Sequence, residues 1–221
     1  MLKFDLSRRS LMRTGLGALA STMILGAAIP SAWAKKVKAA ALTDQDKADV
    51  ARIEDYLNGI TTMKAKFQQA DMNGGTAFGT IYVRRPGFLR VEYDPPSQVL
   101  LVADSIAVSY YDGELNQLNQ APLGLSPLWF LLREHVTLGG DVTVASFQRG
   151  PNVFEIGIVQ SDEPDAGTVT LTLGDKPLEL QQWTIVDNKG QAVRVALYNA
   201  EFGGKLANEL FKTPEKKKKR N

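Results

Sequence analysis

Few side chains in this 221-residue chain combine types and spacings suited to reaction chemistry. His135 is the only histidine, and a lone imidazole after an apolar run is a surface or capping residue before it is a base. Gly124-Leu125-Ser126-Pro127-Leu128 offers a serine, yet it lacks the second glycine of a nucleophile elbow, and Ser126 ahead of Pro127 reads better as a helix cap. Glu92 and Asp94 share one strand face, which suits a carboxylate pair and equally a solvated strand edge. Gly74-Gly75-x-x-x-Gly79 lacks the Lys-Ser/Thr of a phosphate loop and leads into a strand instead of a helix N-terminus. The chain has no cysteine, which removes thiol catalysis, disulfides and thiolate zinc sites. The expectation is therefore a protein that is not an enzyme, with no catalytic residue, no metal and no cofactor.

Charge points away from nucleic acid. The formal net charge is +2, but residues 1–34 hold four of the 26 basic residues and one of the 24 acidic ones; without them the net charge is −1. Five more basic residues are confined to Lys216–Arg220, so the body is acidic and has no basic face for a phosphate backbone. Residues 1–34 read as a cleavable export signal: Arg8, Arg9 and Arg13 at the start, an apolar stretch from Leu16 to Ile29, then Pro30 and Ala32-Trp33-Ala34. Ser7-Arg8-Arg9-Ser10-Leu11 fits a twin-arginine signal and a general secretion signal equally. The apolar stretch is shorter than the roughly 20 residues that span a bilayer. Cleavage after Ala34 predicts a periplasmic protein with one domain over 35–214 and a basic tail over 215–221.

The elements that must position any site are mostly short strands. From Gly74 to Asn119 apolar residues alternate between dense turn signals, with Asn73-Gly74-Gly75, Pro86-Gly87, Asp94-Pro95-Pro96 and a two-residue hairpin at Asp112-Gly113. Leu89, Val91 and Tyr93 face one way; Phe88, Arg90 and Glu92 face the other. Leu42 to Gly59 has helical spacing at Val50, Ile53 and Leu57 behind a Thr43-x-x-Asp46 capping box. Strands return over Thr62–Met72 and from Val142 to Asn199, where Thr168, Thr170 and Thr172 alternate with Val169, Leu171 and Leu173. Ser126-Pro127 starts a helix through Leu128-Trp129-Phe130-Leu131-Leu132, apolar on every side, so it is either a core helix or the cover of a greasy cavity. The pattern implies a mainly β (α+β) fold class: a curled antiparallel sheet around one core.

Phe67-Gln68-Gln69, Gly79-Thr80-Ile81-Tyr82-Val83-Arg84-Arg85-Pro86-Gly87-Phe88-Leu89-Arg90-Val91-Glu92-Tyr93, Pro96 and the apolar run Val99–Ala103 resemble the periplasmic outer-membrane lipoprotein carrier proteins, the LolA-like family. Val91 stands where that family usually has Trp, and Ser105 where an Asp-Gly usually opens the next strand. The resemblance implies an incomplete β-barrel with a helical lid that sequesters lipoprotein acyl chains. It also implies loading by an inner-membrane ABC-type lipoprotein-releasing transporter and delivery to an outer-membrane acceptor. The cavity residues it suggests are Leu89, Val91, Tyr93, Leu100, Val102, Leu128, Trp129, Phe130 and Leu132; read by themselves, each is as well explained by core packing. Arg85, directly before Pro86, matches the family arginine tied to lid closure and hand-off, although a solvated strand end, or Arg84 in its place, reads equally from position alone. Two other functions fit the same architecture: a periplasmic carrier of another lipid, or a lipoprotein-sensing regulatory domain, which would be expected with a further domain or membrane anchor.

Overall fold

The computed structural model describes residues 38–213; the export signal, the cleavage point after Ala34 and the tail over 215–221 lie outside the described residues. Helix α1 (Asp44–Gly59) begins at the expected capping box: Thr43 Oγ1 accepts from the Asp46 amide at 3.2 Å and Asp46 Oδ2 accepts from the Thr43 amide at 3.0 Å. Eleven strands come after it: β1 (Thr62–Asp71), β2 (Thr76–Arg84), β3 (Phe88–Tyr93), β4 (Val99–Asp104), β5 (Ala107–Asp112), β6 (Gln117–Pro122), β7 (Val142–Gly150), β8 (Val153–Gln160), β9 (Gly167–Asp175), β10 (Leu178–Asp187) and β11 (Ala192–Phe202). They form one antiparallel sheet in the order β6-β5-β4-β3-β2-β1-β11-β10-β9-β8-β7. β6 and β7 do not pair, so the sheet is an incomplete barrel with two ends.

Period-2 alternation decides which face is inside. In β1, buried Met63, Ala65 and Phe67 alternate with exposed Lys64, Lys66 and Gln68. In β9, buried Val169, Leu171 and Leu173 alternate with the three threonines. The core is the inner face of β1, β2 and β7–β11 closed by Ile53 and Leu57 of α1 and by Phe130, Val136 and Leu138 of the β6–β7 connection.

Two local expectations need correcting. The connection over 126–132 is not an α-helix capped by Ser126. Two 3₁₀ turns, Leu123–Leu125 before it and Trp129–Leu132 within it, take the helix's place, and Ser126 contributes its carbonyl to the Trp129 amide at 3.0 Å. A short segment that buries Phe130 and Leu132 while Leu128, Trp129 and Leu131 stay half-buried gains more from a tight 3₁₀ turn than from a longer helix with nothing to pack its outer side. The β5–β6 connection is likewise longer than a two-residue hairpin: Asp112 Oδ1 accepts from the Glu114 and Leu115 amides at 3.0 Å each, and Asn116, not Gly113, takes the positive φ of 51°.

Candidate functional site

The inner face of β3–β5 is the part of the sheet that the core cluster leaves half covered. Register places Val83, Leu89, Ala103 and Val108 in one row, Ile81, Val91, Leu101 and Tyr110 in the next, and Gly79 beside Tyr93 beyond that. Leu89, Val91 and Tyr93 are half-buried and pack against the core, whereas Tyr110 keeps 41% of its surface exposed. Gly79 has a packing reason: a Cβ there would lie 2.6 Å from the Phe67 ring and 2.0 Å from the Glu92 carbonyl oxygen, so only glycine lets Phe67 meet Tyr93 edge-on at 5.3 Å. Burial pushes the Tyr93 phenol up, with Tyr110 adding to it and a 2.7 Å bond to Gln69 Oε1 opposing it, which favours the neutral phenol in the wall.

Leu100 and Val102 are not in this wall. Val102 pairs with Arg90 and Ser109, and Leu100 with Glu92 and Tyr111, all on the outer face. There the Asn208–Phe211 3₁₀ turn covers them: Phe211 is buried, its ring 5.5 Å from Phe88, and Thr213 Oγ1 lies 3.4 Å from Ser109 Oγ. Leu101 and Ala103 hold the inner positions expected of their neighbours. Phe130 and Leu132 are buried in closely packed surroundings, and Leu128 and Trp129 are half-buried at the core's margin.

Helix α1 roofs the inner face and is held at both ends. Near its start, Arg149 reaches Asp46 and Asp49, and Arg52 bonds Asp49 at 2.8 Å and Asp175 at 3.1 Å, which ties the helix to β7 and β9. Asp49 is almost fully buried; burial alone would raise its carboxyl, but bonds from Arg52, Arg149 and Gln45 outweigh it and hold the group below its ordinary value of 3.8. Along its second half, Glu54 accepts from the Leu138 amide at 2.7 Å and Asn58 exchanges two bonds of 2.9 Å with the Val136 backbone, so helix and connection form one roof.

At the end of α1, Arg85 makes the contact with β2–β3. Its Nε donates to the Ile60 carbonyl at 2.6 Å and its Nη2 to the Leu57 carbonyl, which also accepts from the Ile60 amide at 3.2 Å, setting a cation at the negative end of the helix dipole. The next turn adds a second tie: the Gly87 amide donates to the Leu132 carbonyl at 2.7 Å, and the Ser105 amide to the Gly87 carbonyl at 2.8 Å. Gly87 sits at φ 82° with Ser105 where a Cβ would be, and Ser105 itself takes φ 75°. Arg85 Nη1 and Trp129 Nε1 are buried without a partner, so the roof contact is under-satisfied. Arg84, on the opposite face, is sandwiched 4.4 Å from the Phe88 ring and 4.5 Å from the Phe211 ring and bonds the Leu206 carbonyl and Asn208 Oδ1.

Cavities lie at the margins. One of about 70 Å³ opens beneath the connection, between Leu125, Pro127 and Phe130 and the ends of β8 and β9. A second of about 430 Å³ lies at the other end of the sheet, between Phe78, Pro95, Pro96 and Val99, with Asp94, Asp112 and Glu114 at its rim. His135 is exposed, and Glu92 bonds Arg90 on the outer face. Among the described residues there is no group of three or more His, Cys, Asp or Glu placed to hold a metal, and no helix long and apolar enough to cross a membrane.

Fold and site together define an open half-barrel with an uncharged apolar wall under a hydrogen-bonded helical roof. The family model described as "Outer membrane lipoprotein carrier protein LolA" matches residues 58–214. The chain belongs to that family. It is similar to the outer-membrane lipoprotein carrier protein of Pseudomonas paraeruginosa, 26% identical over 179 residues covering 75% of this chain and 83% of the relative. The carrier protein of Methylococcus capsulatus is 25% identical over 169 residues, covering 73% and 81%. Among solved structures, a LolA superfamily protein from Nitrosomonas europaea matches with a TM-score of 0.43 at 9% identity, covering 78% of this chain and 99% of that one.

Proposed function

We propose that this protein is a periplasmic carrier that takes lipoprotein acyl chains between the wall of β3–β5 and the roof formed by α1 and the β6–β7 connection. In this reading an ABC-type transporter of the inner membrane loads it and an acceptor at the outer membrane unloads it. The observation that carries the reading is the pairing of an uncharged, half-covered wall with a roof tied to β2–β3 by the Arg85 and Gly87 bonds, in a chain of this family.

The magnitudes are compatible with reversible loading. Hydrogen bonds from a charged donor are worth about 1.5–3 kcal/mol net. Each methylene withdrawn from water contributes about 0.8 kcal/mol, so about two to four methylenes offset the Arg85 contact and a full chain exceeds it.

The direct test is capture of a fluorescent lipopeptide by the processed protein and by Leu101→Glu, whose charge enters the inner wall without touching the buried cluster. The expected result is saturable capture by the unmodified chain and its loss in the variant, with both showing the same far-ultraviolet circular dichroism. No capture by the unmodified chain, or undiminished capture by folded Leu101→Glu, overturns the reading. Native mass spectrometry of protein isolated from periplasm separates lipoprotein from another lipid as the cargo.

A further inference from the structure

We propose that the free edge of β6 receives the extended polypeptide attached to a bound acyl anchor and adds it to the sheet as a further strand, an inference that rests on the acyl-binding reading above. β6 and β7 are the two ends of the sheet, and they are built differently. Beside β7 the Ala40 amide donates to the Val144 carbonyl at 2.9 Å, a bulge between Val144 and Ser146 breaks the ladder, and Arg149 adds a charge. These are the devices by which an edge is closed to further pairing. β6, Gln117-Leu118-Asn119-Gln120-Ala121-Pro122, has no charge and no bulge, and among the described residues no backbone partner on its outer side.

The hydrogen-bond phase shows which groups it offers. The Leu123 amide donates to the Ile106 carbonyl at 2.8 Å, continuing the register Ala107–Pro122, and the Gly113 amide donates to the Gln98 carbonyl at 3.0 Å, continuing Val99–Asp112. Antiparallel alternation then turns the backbone of Val108, Tyr110 and Asp112 toward β6, and that of Ser109 and Tyr111 toward β4. On β6, Gln117, Asn119 and Ala121 bond back to β5. The amides of Leu118 and Gln120, and the carbonyls of Leu118, Gln120 and Pro122, therefore point out of the sheet. Pro122 occupies an outward position, where its missing N–H costs no ladder bond.

Position and chemistry select the occupant. β6 continues the wall, since Asn119 pairs with Tyr110 and Tyr110 with Leu101, so a polypeptide leaving an anchor held on that wall passes along this edge. Backbone groups flanked by uncharged amide side chains recognise main chain and tolerate sequence, which suits a carrier whose cargoes share an anchor and differ in the polypeptide attached to it.

The test is amide hydrogen exchange, read by NMR on the processed chain alone, with a palmitoylated dipeptide, and with a palmitoylated peptide of about twelve residues. Both ligands are expected to shift the Leu101 and Tyr110 signals, and only the longer one to slow exchange at Leu118 and Gln120 by about tenfold or more. Leu118→Pro, which removes an outward donor and no ladder bond, is expected to weaken the longer ligand by about tenfold and leave the dipeptide unchanged. Wall shifts from both ligands with unchanged exchange at Leu118 and Gln120 overturn the edge proposal alone. Failure of both ligands to shift the wall overturns the acyl-binding reading and the edge proposal with it. Protection already present in the free protein also overturns the proposal: if it grows with concentration a second copy fills the edge, and if not, the edge is closed within the one chain.

Discussion

Replacing Arg85 by Leu removes the two side-chain bonds by which β2–β3 holds the end of α1, to the carbonyls of Ile60 and Leu57. The guanidinium is half-buried and one of its nitrogens has no partner, so the pair is set at about 1.5–3 kcal/mol, the range for a single well-made bond from a charged donor. In the carrier proposed above the roof lifts to admit acyl chains, and those bonds exist only while it is down. Their loss raises the closed state and leaves the open state unchanged, shifting that equilibrium toward open by about 10- to 150-fold. Because acyl chains enter the open state, apparent affinity for a lipopeptide should rise, by at most that factor and by less once the open form predominates. The gain appears chiefly in capture, and transfer to acceptor vesicles slows only as far as re-forming the roof bonds drives release. The assay is stopped-flow transfer of a fluorescent lipopeptide from Arg85→Leu, Arg85→Lys and Arg84→Leu. Arg85→Lys should be intermediate, since one ammonium cannot reproduce the forked contact to two carbonyls. Arg84→Leu should lower the melting temperature through loss of the Phe88–Arg84–Phe211 stack and leave transfer unchanged. Equal changes in transfer from Arg84→Leu and Arg85→Leu, or loss of capture in Arg85→Leu, would refute the reasoning.

Other expectations are narrower. Asp49→Ala should destabilise the fold by about 1–3 kcal/mol in urea titration, since Arg52 and Arg149 lose the buried acceptor they share and keep only Asp175 and Asp46. Because the Asp49 carboxyl is held below 3.8 in the folded protein, its contribution is complete above that pH and is lost as pH falls through the lowered value; acid melts of the unmodified chain should steepen below about pH 4, and those of Asp49→Ala should steepen less. Gly87→Ala forces a Cβ into Ser105 at a positive φ and should cost about 1–3 kcal/mol while loosening the Leu132 tie, read as faster exchange of the amide at position 87. Phe130→Glu places a charge at a fully buried position, and the expected outcome is loss of the folded circular dichroism spectrum. N-terminal sequencing of periplasmic protein should start at Lys35; another start, or retention in the cytoplasm, contradicts the export reading.

Legible in the sequence was whatever one local rule decides. The Thr43–Asp46 box fixes the start of α1, and strict alternation in β1, β3 and β9 sorts inner from outer face without knowledge of any neighbour. Arg85 was legible as a rim residue because Pro86 ends the ladder, but its partners lie 25 and 28 residues away at the end of α1, and local spacing does not specify such a contact. The connection over 123–132 misled because Ser-Pro ahead of five apolar residues signals a helix start, whereas the available packing surface was long enough only for 3₁₀ turns.

β4 shows why alternation fails where it is most needed. Val99-Leu100-Leu101-Val102-Ala103 is apolar throughout, so it carries no period-2 signal and either set of alternate residues fits the wall. The run is apolar because its inner face is the half-covered wall and its outer face lies under Phe88, Tyr111 and the Asn208–Phe211 turn. An apolar outer face on this strand implies a second covering layer, and the residues that supply it lie about 110 positions downstream, in the Asn208–Phe211 turn and at Thr213. Register then decides the faces: Leu89 opposite Ala103 sets Leu101 beside Val91 on the wall and turns Leu100 and Val102 outward. Swapping charges between the two positions separates the faces in solution. Leu101→Glu should abolish lipopeptide capture with little change in stability. Val102→Glu should lower the melting temperature steeply, since it places a charge at an almost fully buried position; at temperatures where that variant remains folded, capture should persist. The reverse pattern would place the acyl chains on the face that the carboxy-terminal turn now covers.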